Sequence, residues 1–197
     1  MITHLDSEVG KIWDSVKEKG QEENTLILFS SDNGPTFAGG VDPDFFNSAA
    51  GLRGLKMDVY EGGIRIPFIA YWKGKIKAGS ISDLISGHWD MFNTFAELAG
   101  QDPIDFRLKL FSRAQHSPVG DSYDYDAERY AGVLKLIKEK SNWGEKKSGI
   151  FRGVAAYFCH ASYVAEVVDL IMVNGQPKIK KVWCAVDCGI VINPDAA

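Results

Sequence analysis

Long apolar runs are missing from this sequence, and none reaches the length that spans a bilayer. An excess of basic residues is missing too. The formal net charge of −4 gives no attraction to nucleic acid or to an anionic membrane surface. Cysteine is scarce: Cys159, Cys184 and Cys188 are an odd count, all in the last quarter of the chain, and make no disulfide framework. Cys184 and Cys188 stand four apart, but no second pair or nearby histidine completes a zinc site, so the three read as reduced, buried thiols. The first residues, Met1-Ile2-Thr3-His4-Leu5-Asp6, lack a basic region followed by an apolar core, so no signal peptide is expected and the location is left open. There is no internal repeat and no low-complexity tract.

What is present has the apolar and charged fractions of an ordinary globular chain, 45% and 24%, over 197 residues that allow one domain or two small ones. Ile2, Leu5, Val9, Ile12, Trp13 and Val16 recur at helical spacing, which predicts a helix over 2–19 with Gly20 as its stop. Thr25 to Phe29 is an apolar run that reads as a buried strand ending in Ser30-Ser31-Asp32-Asn33-Gly34-Pro35. Regular patterning then vanishes from Gly34 to Gly63, and a loop of that length is usually functional or mobile. Ile66 to Trp72 predicts a second buried strand, and His88 to Ala99 a helix with Phe92, Phe95, Ala96 and Ala99 inward, closed by Gly100. Helix, strand, loop, strand, helix is read as part of a parallel α/β sheet.

Sites in open α/β sheets lie at the carboxyl ends of strands. Asp32 and Asn33 would place a carboxylate and a carboxamide there, hard oxygen donors suited to calcium or magnesium. Taken alone, Asp-Asn-Gly reads first as a turn after a strand, since these are turn residues. Lys56, in a glycine-punctuated loop, can bring a point positive charge to an anion.

The longer pattern adds to this. Leu5-Asp6, Val9-Gly10-Lys11-Ile12, Ser31-Asp32-Asn33-Gly34, Leu52-Arg53-Gly54-Leu55-Lys56, Tyr60-Glu61-Gly62-Gly63-Ile64-Arg65-Ile66-Pro67 and Trp89-Asp90 through Leu98-Ala99-Gly100 follow one another at a recognisable spacing. Residues 1–101 resemble the C-terminal half of the sulfatase (arylsulfatase) catalytic domain. The resemblance implies a partial sulfatase/alkaline-phosphatase-like α/β sheet, Asp32 and Asn33 as calcium ligands, and Lys56 as the sulfate contact. Asn93 stands where the family usually has proline. The family's nucleophile is made from Cys or Ser in a Cys/Ser-x-Pro-x-Arg pattern. Two residues before the seven prolines stand Asn33, Val41, Arg65, Gln101, His116, Gly175 and Ile192, so the pattern has no counterpart here. Nor do the family's paired N-terminal metal-binding aspartates.

The character changes at Gln101-Asp102. Residues 102–111 predict a short helix with an acidic cap and a proline in its first turn. A polar loop follows over 112–124. Tyr130, Val133, Leu134 and Ile137 mark a further amphipathic helix. The period then switches to two over 151–160, 163–173 and 178–186, with Asn174-Gly175 as a hairpin turn, so an α+β unit with antiparallel strands is expected. Asp102 to Leu108, Gly149-Ile150-Phe151-Arg152-Gly153, Ser162-Tyr163-Val164-Ala165-Glu166-Val167 and Ala185-Val186-Asp187-Cys188-Gly189 through Ile192-Asn193-Pro194 stand in an order with a resemblance of its own. Residues 102–197 resemble part of the molybdopterin-binding subunit of the xanthine dehydrogenase and aldehyde oxidase family, of the isoquinoline oxidoreductase β-subunit type. Cys188 and Gly189 would lie near a pterin there, although a strand-end turn with a buried thiol explains them as well. The family's cofactor-contacting glutamine and catalytic glutamate have no counterpart in these residues, so molybdopterin is not expected to bind.

The expectation is therefore two fragments, 1–101 and 102–197, fused near Gln101 and inactive alone, with self-association through exposed strand edges and no nucleic-acid or membrane partner. A split sulfatase subunit and a molybdenum hydroxylase fragment are the alternatives.

Overall fold

The computed structural model describes residues 2–117 and 125–192, and its compact units divide between Asp83 and Leu84. Part of the expected polar loop and the expected Asn193-Pro194 motif lie outside the described residues.

The first unit begins with helix α1, Ile2–Glu18. It stops where the sequence predicts, with Gly20 at φ +65° and its N–H donating to the Lys17 carbonyl at 2.9 Å. Strand β1 is Ile27–Ser30, the short helix α2 is Glu61–Ile64, and strand β2 is Phe68–Tyr71. Trp13 of α1 meets Tyr71 of β2 edge-to-face at 4.7 Å, and the Trp72 indole N–H donates to the Glu23 carbonyl at 2.8 Å.

Two strand expectations need correction. β1 and β2 pair antiparallel, Ile27 opposite Tyr71 and Ser30 opposite Phe68, as a two-stranded ribbon and not as part of a parallel sheet. The long loop turns back on itself through a hydrogen bond from Gly34 N–H to the Gly63 carbonyl, 2.8 Å, and so returns β2 in the opposite direction. A continuous apolar run carries no information about strand direction. Nor are the strands buried: β1 is half-buried throughout, and Phe68 and Ile69 of β2 are exposed.

The second unit starts with a 3-10 turn, His88–Asp90, and helix α3, Met91–Leu98. Of the residues expected inward, Ala96 is fully buried and Phe95 half-buried, whereas Phe92 and Ala99 are exposed. Helix α4, Pro103–His116, runs past its expected end. The Asp102 carboxylate caps it, accepting from Ile104 N–H at 3.0 Å and Asp105 N–H at 3.1 Å, with Pro103 in the first turn. Helix α5, Ala127–Lys140, is capped in the same way by Asp126.

Strands β3 (Phe151–Cys159), β4 (Ser162–Val173) and β5 (Gln176–Asp187) form the expected antiparallel meander. Asn174 and Gly175, at φ +52° and +74°, make the tight turn between β4 and β5, since a two-residue hairpin turn with both centres at positive φ matches strand twist. Tyr163, Ala165 and Val167 alternate toward one face of β4. That face and Val154, Ala156 and Ala185 pack against Ile104 of α4 and Val133, Leu134 and Ile137 of α5, which form the core. Residues 84–101 lie in this unit, so the compact units divide ahead of the change of sequence character at 101/102.

Candidate functional site

Asp32 stands two residues past Ser30, the last residue of β1, and is exposed. Asn33 is half-buried; its Nδ2 donates to the Gly34 carbonyl at 2.8 Å, and the Ser31 hydroxyl donates to the Asn33 carbonyl at 2.8 Å. These local bonds fix the turn and leave the Asp32 carboxylate facing water.

Lys56 is brought alongside by backbone packing. Its N–H donates to the Pro35 carbonyl at 2.8 Å, and Gly62 N–H donates to the Arg53 carbonyl at 2.7 Å. The approach leaves no room for side chains. A Cβ on Gly34 would lie 1.9 Å from the Gly62 oxygen, one on Gly62 2.1 Å from the Gly54 oxygen, and one on Gly63 2.2 Å from the Asp58 oxygen. Glycine at these positions lets three backbone segments touch. The Asp58 carboxylate accepts from Leu55 N–H at 2.9 Å. The Arg53 guanidinium lies over the Tyr60 ring at 3.6 Å and donates to its hydroxyl at 2.7 Å. So the backbone of Lys56, far away in sequence, lies beside the turn of Asp32 and Asn33 past the end of β1, with the Lys56 side chain exposed. Arg53, Tyr60 and Asp58 support this packing and were not legible as such; the paired Gly62-Gly63 was the available signal.

Calcium takes six to eight oxygen ligands. Asp32 and Asn33 contribute a side-chain oxygen donor set of the right hardness but far short of that number. Among the described residues no three His, Cys, Asp or Glu side chains gather into a metal cluster. The residues present do not by themselves form a calcium site.

A family model for sulfatases, "Sulfatase", matches residues 1–101, just over half of the chain. The chain belongs to the sulfatase family. A mouse N-acetylgalactosamine-6-sulfatase is 35% identical over 107 residues, covering 54% of this chain and 20% of that protein. Mouse arylsulfatase G is 38% identical over 106 residues, covering 50% of this chain and 20% of the relative. The Escherichia coli (strain K12) sulfatase YdeN is 38% identical over 108 residues, 54% of this chain and 18% of that one. The chain thus spans about one fifth of the length of the curated relatives it matches. The N-terminal part is sulfatase-like, and these site residues fall inside the matched stretch.

The second sequence candidate, Cys188-Gly189, lies just past β5 in the other unit. Gly189 has φ +79°, and its N–H donates to the Asp187 carboxylate at 2.9 Å. Arg129 reaches the same carboxylate with two bonds, 2.6 and 3.1 Å, and stacks over Tyr163 at 4.7 Å. The Arg129 hydrogen bond, then the Gly189 N–H, hold Asp187 down to a pKa of about 2. This is a strand-end turn pinned to α5, the plainer of the two readings. One expectation is corrected: all three cysteines are exposed, not buried, because Cys184 alternates with core-facing Ala185 and so lies on the other face of β5, Cys188 lies past the end of β5, and Cys159 ends β3. Partial desolvation beside the strand, then the carboxylate of its cross-strand partner Glu166, push the pKa of the exposed Cys184 thiol up.

Proposed function

We propose that residues 1–101 carry a share of a sulfuric ester hydrolase site: Asp32 and Asn33 as part of a calcium ligand set, and Lys56 as the contact to the sulfate. The single observation that supports this is the glycine-mediated packing that ties the Lys56 backbone to Pro35, just past Asn33, at 2.8 Å. It brings the Lys56 backbone beside the turn that carries Asp32 and Asn33, which supports the roles the sulfatase resemblance assigns to them.

These 197 residues are proposed not to turn over sulfate esters by themselves. No Cys or Ser stands two positions before a proline, so they contain no precursor of the family's nucleophile. An exposed lysine that holds an anion in its ground state does not lower a barrier. Losing the nucleophile of a cooperating site costs several orders of magnitude in rate. The test is a chromogenic aryl sulfate with calcium and excess protein, run beside Lys56→Ala and Asp32→Ala. No turnover is expected; turnover abolished by both substitutions would refute the proposal.

For residues 102–197 the proposal is a second fragment, of molybdopterin-binding oxidoreductase type, fused to the first and also inactive. In favour of a separate origin, the sulfatase family model covers residues 1–101, and α4, α5 and the meander share one core built from later residues. Purified protein should contain neither molybdenum nor pterin; stoichiometric amounts of either would favour an oxidoreductase fragment that retains its cofactor.

A further inference from the structure

Buried polar atoms ordinarily find a hydrogen-bond partner, and exceptions call for an explanation. Among the described residues, the buried side-chain atoms that lack one include Asn93 Oδ1, Arg107 Nε and Arg107 Nη1. All three lie where the 88–98 segment meets α4 and β3. Arg107 is 2% exposed, yet its guanidinium meets just a long bond from Nη2 to the Trp89 carbonyl, 3.4 Å, the face of Phe92 at 5.1 Å and the nearby Tyr130 phenol, none of them a counter-charge. Burial pushes its pKa down. The Asn93 amide donates to the Val154 carbonyl at 2.7 Å, but its oxygen is left alone.

Little apolar burial offsets this. Trp89 and Phe92 remain 58% and 42% exposed, and in α3 only Ala96 is fully buried. The contrast with α5 is plain, where Ala131, Val133, Leu134 and Ile137 are all buried. A buried cation without a counter-charge favours any motion that rehydrates it.

We propose that residues 88–98 form a displaceable cover, poised to lift from α4 and β3 and return the Arg107 guanidinium to water while the core of the second unit stays folded. The cover belongs to the stretch that matches the sulfatase family model, residues 1–101. Lifting would expose one face of α3 and the Arg107 end of α4 at the same time.

Hydrogen exchange read by mass spectrometry on the full chain tests this. Protection factors for 91–98 should be at least tenfold below those for 127–140. Arg107→Met, which keeps the length and removes the charge, should raise protection over 91–98 at least threefold and leave 127–140 unchanged. Equal protection of the two segments in the parent chain would overturn the proposal. So would a folded Arg107→Met protein in which 91–98 exchanges as fast as before, or faster. The comparison within the parent chain stands even where Arg107→Met fails to fold.

Discussion

Arg152 and Asp169 are register partners on β3 and β4, joined by bonds of 2.6 and 3.0 Å, with side chains 11% and 4% exposed. Arg152 also donates to the Asn142 carbonyl at 3.0 Å and lies over Trp183 at 5.1 Å. Removing one partner of such a pair strands the other charge. Asp169→Ala should therefore cost about 3 kcal/mol of stability in urea, and the double change Arg152→Met with Asp169→Leu distinctly less. A double variant as unstable as the single one would count against the pair. Asp187 predicts a pH effect. Its folded pKa is depressed to about 2, so its stabilising contribution is complete above the ordinary carboxylate value of about 4. It is lost as pH falls from there through about 2, and Asp169, also depressed by its arginine, acts in the same direction. The urea midpoint should drop more steeply between pH 5 and pH 2 in the parent than in Asp187→Asn.

At the scale of elements, the loop between β1 and β2 is held by backbone contact and not by an apolar core. Gly62→Ala puts a methyl group 2.1 Å from a carbonyl oxygen, so the backbone itself must move. Overpacking of this kind costs about 1–3 kcal/mol, and the change should show as faster proteolysis between 34 and 63. Calcium binding belongs to the same loop. Two protein oxygens leave the ion largely hydrated, so calorimetry should find a Kd of about 1 mM or weaker. A micromolar site that vanishes in Asp32→Ala would show that other ligands had been recruited.

For the whole molecule, the relevant feature is what the first unit leaves open. Ile2, Leu5, Ile12, Phe68 and Ile69 are exposed, α1 has no buried residue, and among the described residues the ribbon of β1 and β2 has two free edges. Apolar patches and free strand edges promote association. Light scattering should give masses above the 21.7 kDa monomer that rise with concentration. A constant monomer mass over a wide range would contradict this.

The sequence by itself determined the local elements. α1 ends at Gly20, Asp102 caps α4, and Asn174-Gly175 turns β4 into β5, because caps, stops and two-residue turns are set by a few neighbouring residues. It also pointed to Asp32, Asn33 and Lys56 through a pattern of motifs. Only the tertiary structure decided how distant segments meet. Strand direction, exposure of the three thiols and burial of Arg107 depend on which surfaces pack together, and residue type alone does not carry that information. The Gly62-Gly63 pair looked like loop punctuation; three backbones approaching within hydrogen-bond distance make it the reason that Lys56 reaches the end of β1.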